Sequence, residues 1–233
     1  MPSQDRPAHT HPKLHGRKKG HRVRKQRRLL LDTLLPRIVF PQTASPIHNP
    51  QDLFHRRYDA LWLEIGFGDG GHLAWQAKNN PGIGFIGCEP YEPGVASLLS
   101  LIAADNIENV VVHPDDARQV FSRLPEGCIS RVFILFPDPW PKKKHNKRRF
   151  ISHENIDALA HLMHRGAELR FASDIDDYIQ WTLAIFRDRK DFIWTAESPR
   201  DWQCHPDDWP ATKYERKANA AGRTGKFLRF QRV

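Results

Sequence analysis

From about residue 60 onward, short apolar runs alternate with segments whose apolar positions recur at helical spacing. "LWLEI" (61–65) is a compact apolar run that ends in glycines and predicts a buried strand. "GGHLAWQAKNN" (70–80) predicts a helix closed by "NNPG", and "IGFIGCE" (83–89) a second strand. A helix over 93–104 sets Val95, Leu98, Leu99 and Ile102 on one face. "NVVVH" (109–113) predicts a third strand, 116–124 a helix, and "CISRVFILF" (128–136) a fourth strand. Further on, 152–165 reads as helix, "AELRFAS" (167–173) as strand and 175–188 as helix. "DFIWTAE" (191–197) and "KFLRFQRV" (226–233) complete the strands. Strand and helix joined by short connections predict a mostly parallel, doubly wound sheet. The stretch 198–225, rich in Pro, Trp, Asp and Gly, reads as a long functional loop.

Upstream the pattern is different. Residues 1–28 are polar and basic, with His9, His11, His15 and His21 among Lys and Arg, hold almost nothing that could be buried, and are expected to be disordered when free. Such an arm is either a nucleic-acid contact or a solubilising tail, and its irregular histidine spacing does not make a metal site. Residues 29–50 carry scattered apolar positions, Leu29 to Leu31, Leu34, Leu35, Ile38, Val39 and Phe40, and are expected to lie across the core's surface as an extended or short helical segment. The chain thus divides into a basic arm with its connecting segment (1–50) and a folded domain (51–233). Net charge of +9 and pI near 9.7 favour a polyanionic partner. The three scattered cysteines form no CxxC pair and suggest a reducing compartment. No apolar run approaches the roughly 18 residues of a membrane span, and no signal-peptide core is visible, so a cytoplasmic location is expected.

Chemistry enters at the first strand–helix turn. In "EIGFGDGGHL" (64–73), Gly66, Gly68 and Gly71 satisfy G-x-G-x-x-G at the point where open α/β sheets bind ligands. Glu89, at the end of the second strand, falls where an acid would accept both ribose hydroxyls of a dinucleotide or of S-adenosylmethionine. Two more acids separate these ligands. Glu64 stands at the end of the first strand, and Asp115 and Asp116 follow the third; Asp116 could accept from an adenine amino group or cap the next helix. A cationic sulfonium ligand with an amino group suits carboxylates, whereas a diphosphate does not. The constellation therefore favours S-adenosylmethionine over a nicotinamide cofactor.

The fourth strand runs into "FPDPWPKKKHNKRRF" (136–150), with Asp138 at the strand's carboxyl end between two prolines. Prolines hold the backbone out of helix around that carboxylate. Trp140 could stack on an unstacked base or anchor the loop. The run Lys142, Lys143, Lys144, Lys147, Arg148 and Arg149 could hold phosphates.

These residues carry a resemblance. "LEIGFGDGGHL", "RVFILFPDPWPKKKHNKRRF", "FASDIDDY" and "TKYE" (212–215) resemble the bacterial tRNA (guanine-N7-)-methyltransferases over about residues 55–233. The resemblance implies a class I Rossmann-like fold: a doubly wound, mostly parallel seven-stranded sheet with helices on both faces. It implies S-adenosyl-L-methionine as cofactor and guanine 46 of the tRNA variable loop as target. It matches Glu64, Gly66, Gly68, Glu89, Asp116 and Asp138 to the cofactor site, with Asp138 as the catalytic residue. Lys142, Asp174, Thr212, Lys213, Tyr214 and Glu215 match substrate-binding positions. Lys144, His145, Asn146, Lys147, Arg148 and Arg149 match the RNA-contacting stretch. Pro90 after Glu89, and the adjacent Asp115 and Asp116, depart from the usual pattern. The competing readings are a methyltransferase for a small molecule or protein, a nicotinamide-dependent oxidoreductase, and a non-catalytic RNA-binding module.

Overall fold

A computed structural model describes residues 16, 18, 20, 22–43 and 45–233. His9, His11, His15 and His21 of the basic arm lie outside the described residues. The chain enters through two short helices, α1 (Lys25–Thr33) and α2 (Leu35–Ile38). Then come β1 (Ala60–Ile65), α3 (Gly71–Asn79), β2 (Ile83–Cys88), α4 (Glu92–Asp105) and β3 (Val110–His113). After α5 (Arg118–Phe121) follow β4 (Ile129–Leu135), α6 (His153–Leu162), β5 (Met163–Ser173) and α7 (Asp176–Arg187). The end of the chain holds β6 (Phe192–Trp194), α8 (Arg200–Gln203), α9 (Lys213–Ala220) and β7 (Lys226–Arg232).

The seven strands form one sheet in the order β3-β2-β1-β4-β5-β7-β6. All pairings from β3 to β5 are parallel, and only β7 runs antiparallel to its neighbours. The strand order reverses between β1 and β4, so their carboxyl ends open a crevice on the same edge. The parallel strands are buried on both faces, which is why they read as continuous apolar runs. On one face, Val95, Leu98, Leu99 and Ile102 of α4 pack with Leu73, Phe85 and Val112. On the other, Val132, Ile134, Ile156, Leu159, Leu169 and Tyr178 form the larger core. Asn106 ends α4 in the left-handed region at φ 51°, and its N–H reaches the Ile102 carbonyl.

Three sequence expectations need correction. The helix expected over 116–124 is a single turn, α5, because Pro114 and two aspartates keep its start irregular. The 198–225 stretch is not loop throughout: α9 begins where Thr212 caps it by accepting from Glu215 N–H at 3.0 Å. The arm's last residues, from Lys25, are already helical, and the connecting segment enters the core. Val39 bridges to Val112, Phe40 N–H donates to the Val112 carbonyl at 2.8 Å, and Phe40 is fully buried.

One contact fixes the glycine loop against α4. A Cβ on Gly94 would stand 2.2 Å from the Gly68 carbonyl oxygen. Gly94→Ala is therefore expected to push the loop away and cost about 2 kcal/mol, read as a lower urea midpoint at unchanged slope.

Candidate active site

Two cavities flank the glycine loop. The larger, about 800 Å³, is lined by Gly66, Gly68, Glu89, Asp116, Asp138 and Trp140, among others. The smaller, about 370 Å³, is lined by Glu64, Asp69, His72, Trp75, Thr212 and Lys213, with others. Gly66 and Tyr214 face both. The loop turns through left-handed backbone at Gly66 (φ 73°), Gly68 (φ 59°) and Gly70 (φ 80°). No atom lies within 4 Å of where a Gly66 Cβ would be, so bare backbone faces the space. Gly68 has no such room: the Tyr214 ring would stand 2.8 Å from its Cβ.

Glu89 is the hinge of the larger cavity. Its carboxylate accepts from Gly68 N–H at 2.8 Å and Tyr91 N–H at 2.9 Å, joining the loop after β1 to the turn after β2. Burial pushes its pKa up; the two backbone N–H groups oppose this, and the nearby charges of Asp138 and Glu64 add to it. The site thus crowds negative charge into poorly solvated space. Tyr214 feels the same field: burial, then Glu89, Asp69 and Asp138, raise its phenol.

Asp116 is nearly buried and held by Arg118, whose Nε lies 2.9 and 3.0 Å from its two oxygens. It also accepts from Arg118 N–H at 3.0 Å in a local turn; it does not cap α5, whose N-cap position is Ala117. Asp115 is more exposed and meets Lys18 Nζ at 2.7 Å. It too lines the cavity, as does Pro90. Glu64 is 3% exposed, and its Oε2 lies 2.7 Å from His72 Nδ1.

Asp138 is exposed at the cavity wall. The backbone on either side of its prolines is left-handed, Phe136 at φ 51° and Trp140 at φ 45°. The Arg148 guanidinium stands 5.0 Å from the Trp140 ring centroid, and His145 packs edge-on at 6.0 Å. Trp140 is thus both a loop anchor and a cavity wall.

The basic run does not act as one surface. Lys142, Lys143, Lys144 and Lys147 are exposed; His145, Asn146 and Arg148 are half-buried on a 3₁₀ turn. Arg149, expected on the RNA-facing run, points inward with no side-chain exposure. Its Nε donates to the Pro139 carbonyl at 2.9 Å, and it pairs with Asp177. Its guanidinium lies 4.9 Å from the Tyr178 ring centroid. Apolar strand ends below and the proline turn above leave it this inward path.

Of the expected substrate-binding residues, Tyr214 faces both cavities, while Thr212 and Lys213 face the smaller. Glu215 turns inward, 5% exposed, and lies 3.3 Å from His205 Nε2 rather than pairing with Lys213. Burial raises its pKa against the pull of His205. Asp174 is held by Arg223 at 2.7 Å and lines neither cavity, nor does Lys142. Sequence reasoning missed His72, Arg118 and Lys18, the partners of the acids. His72 and Arg118 had a signal, since each is a polar residue in the opening turn of the helix that follows an acid-bearing strand end.

A family profile described as a putative methyltransferase matches residues 59–228. A tRNA (guanine-N(7)-)-methyltransferase of Rhodospirillum rubrum is 45% identical over 94% of this chain and 88% of its own. One of Ruegeria pomeroyi is 46% identical over 94% of each. The chain belongs to the tRNA (guanine-N(7)-)-methyltransferase family. Solved structures support the fold alone. An antibiotic-related methyltransferase is 16% identical with TM-score 0.52, covering 83% of this chain and 99% of its own. An rRNA methylase from Streptococcus thermophilus is 12% identical with TM-score 0.51, covering 76% and 89%. Among the described residues, no helix is long and apolar enough to cross a membrane.

The inward placement of Arg149 has a measurable consequence for a member of this family. Arg149→Leu should cost about 2 kcal/mol, since it leaves the Pro139 carbonyl and Asp177 without their donor. Lys147→Ala, at an exposed position, should change stability by less than about 0.5 kcal/mol. Chemical denaturation of the two variants checks the contrast.

Proposed function

We propose that this chain transfers a methyl group from S-adenosyl-L-methionine to N7 of guanine in tRNA, with guanine 46 of the variable loop as the target. The observation that carries the reading is the single cavity of about 800 Å³ whose wall holds Glu89, Asp116 and Asp138 beside Lys147 and Arg148. The family's substrate is a polyanion, and the methyl donor is a cation. One opening that sets carboxylates inside and cations at its rim suits both.

The residues fit the cofactor. Bare backbone at Gly66 leaves room for close approach, and the carboxylates offer acceptors where positive charge would sit. Glu89 would take the ribose hydroxyls, keeping its two backbone donors as support. Asp116 would take the adenine amino group, sharing its oxygens with Arg118. Glu64 would serve the amino-acid end from beneath the loop. When bound, the cofactor supplies an electrophilic methyl on a positively charged sulfur.

Guanine N7 carries no proton in the neutral base, so the protein needs no general base to expose its lone pair. What the chain contributes is position and field. Asp138, at the end of β4, would accept from N1–H and the exocyclic amine of guanine, two donors that adenine does not offer in that arrangement. Its charge would also favour the cationic N7-methylguanine. Asp174 would have to exchange Arg223 for the base to take this part, which favours Asp138. Trp140, propped by Arg148, offers a stacking face beside it. Lys144, Lys147 and Arg148 would hold the phosphates that present the base.

Asp138→Ala should lower methyl transfer by at least about 100-fold while the fold survives. The measurement is radiolabelled methyl incorporation into unmodified tRNA, with the modified base mapped; full N7-methylguanosine formation by this variant would remove Asp138 from the chemistry. Replacing Lys144, Lys147 and Arg148 together by Ala should weaken tRNA binding and reduce its salt slope by about 2 to 3. Affinity and slope that stay put would leave the run a bystander.

A further inference from the structure

Glu64 does not stand alone beneath the glycine loop. It is the end of a buried chain of polar side chains on α3 that leads to the late segment of the molecule. His72 Nδ1 lies 2.7 Å from Glu64 Oε2, and both side chains are 3% exposed. His72 Nε2 lies 3.3 Å from Gln76 Nε2. Gln76 Nε2 donates to the Asp208 carbonyl at 2.9 Å, and Gln76 Oε1 accepts from Asn80 Nδ2 at 3.1 Å. His72, Gln76 and Asn80 are spaced by four residues and so share one face of the helix and its end.

The hydrogen positions follow from these partners. A backbone carbonyl only accepts, so the Gln76 atom facing Asp208 is the amide nitrogen. That nitrogen has a second hydrogen, which points at His72 Nε2. Nε2 must then accept, and the ring's single proton sits on Nδ1, facing Glu64. Each member of the chain is thereby given one role: the amide donates, the imidazole accepts at Nε2 and donates at Nδ1, and the carboxylate accepts. Gln76 is 2% exposed, so water does not offer an alternative.

We infer that His72 is a positioning residue for the cofactor, locked by Gln76 as the Nδ1–H tautomer so that Glu64 is held in one rotamer. This rests on the reading of Glu64 as a cofactor carboxylate. One carboxylate oxygen is committed to His72, which leaves the other for the cofactor's ammonium group. The Asp208 carbonyl belongs to the segment that leads to Thr212, Lys213 and Tyr214, and Arg170 holds the Asp208 side chain at 2.7 Å. Docking of that segment and orientation of Glu64 are therefore parts of one network. A hydrophobic side chain at 72 would keep the packing against Phe133 and Trp209, whose rings lie 4.8 and 5.4 Å away, but would free the carboxylate.

The test uses the full chain. Long-range ¹⁵N–¹H correlation spectra of ¹⁵N-histidine-labelled protein should give His72 the Nδ1–H tautomer. His72→Leu should raise the KM for S-adenosylmethionine about tenfold, with the KM for tRNA within about twofold. His72→Asn, whose amide N–H stands near where Nδ1–H does, should recover to within about threefold of wild type. An Nε2–H tautomer overturns the inference, as does an unchanged cofactor KM in His72→Leu or an Asn variant as impaired as Leu. Should His72→Leu fail to fold, Gln76→Leu decides: it should mix the two tautomers and raise the cofactor KM, and no change in either overturns the inference. Glu64→Gln separates the two levels. If it leaves cofactor KM unchanged, the reading of Glu64 falls and the inference with it; if it raises that KM while His72→Leu does not, only the inference about His72 falls.

Discussion

The structure turns on the carboxylate of Glu89 and the two backbone N–H groups it accepts from. Through them the loop after β1 and the turn after β2 become one rigid rim, although 21 residues separate Gly68 from Glu89. Without that tie the glycine loop would still be joined to β2 where Gly66 N–H donates to the Cys88 carbonyl at 2.8 Å, but its Gly68 turn would lose its link to the turn after β2. The contact has a condition: a carboxylate with little access to water, near other carboxylates, is held in place by fixed donors. The Gly94 backbone presses against Gly68 from the other side, so the rim is clamped both electrostatically and sterically. A cavity with such a wall is preorganised for a cation before any ligand arrives.

The remaining acids follow the same rule with different partners. Asp116 is paired by Arg118, Asp115 by Lys18, Glu64 by His72 and Asp174 by Arg223. Each pairing tempers the repulsion that a cluster of strand-end carboxylates would otherwise suffer. The partners differ in strength. Arginine and lysine bring a full charge, whereas the histidine meets Glu64 through a hydrogen bond at its Nδ1.

Much of this was legible in the sequence, because the signals are local. Apolar runs such as "IGFIGC" and "VFIL" have few other folded fates than buried parallel strands, and glycine spacing after β1 marks the ligand-binding turn. The "PDPW" block fixed the end of β4 by the geometry of proline alone. What escaped was set by tertiary contact. Nothing local distinguishes Arg149 from Arg148, yet one is buried against Pro139 and Tyr178 and the other flanks Trp140. Likewise Glu215, on the polar helix α9, turns inward to meet His205, a contact ten residues away that no local pattern marks. The connecting segment around Phe40 looked peripheral by hydropathy, but its backbone pairs with β3.

The left-handed backbone at Phe136 and Trp140 sets what substitution at either place would cost. Each aromatic residue in that region costs on the order of 1 kcal/mol relative to a residue without a Cβ. Glycine at both places would relax the backbone of the loop that carries Asp138 but forfeit ring packing worth as much or more. The rings that would be lost are the Phe136 edge packed on Phe227 and the Trp140 face beneath Arg148. The shape of the chain around that aspartate is thus set by two torsion angles, each held by the contact its ring makes.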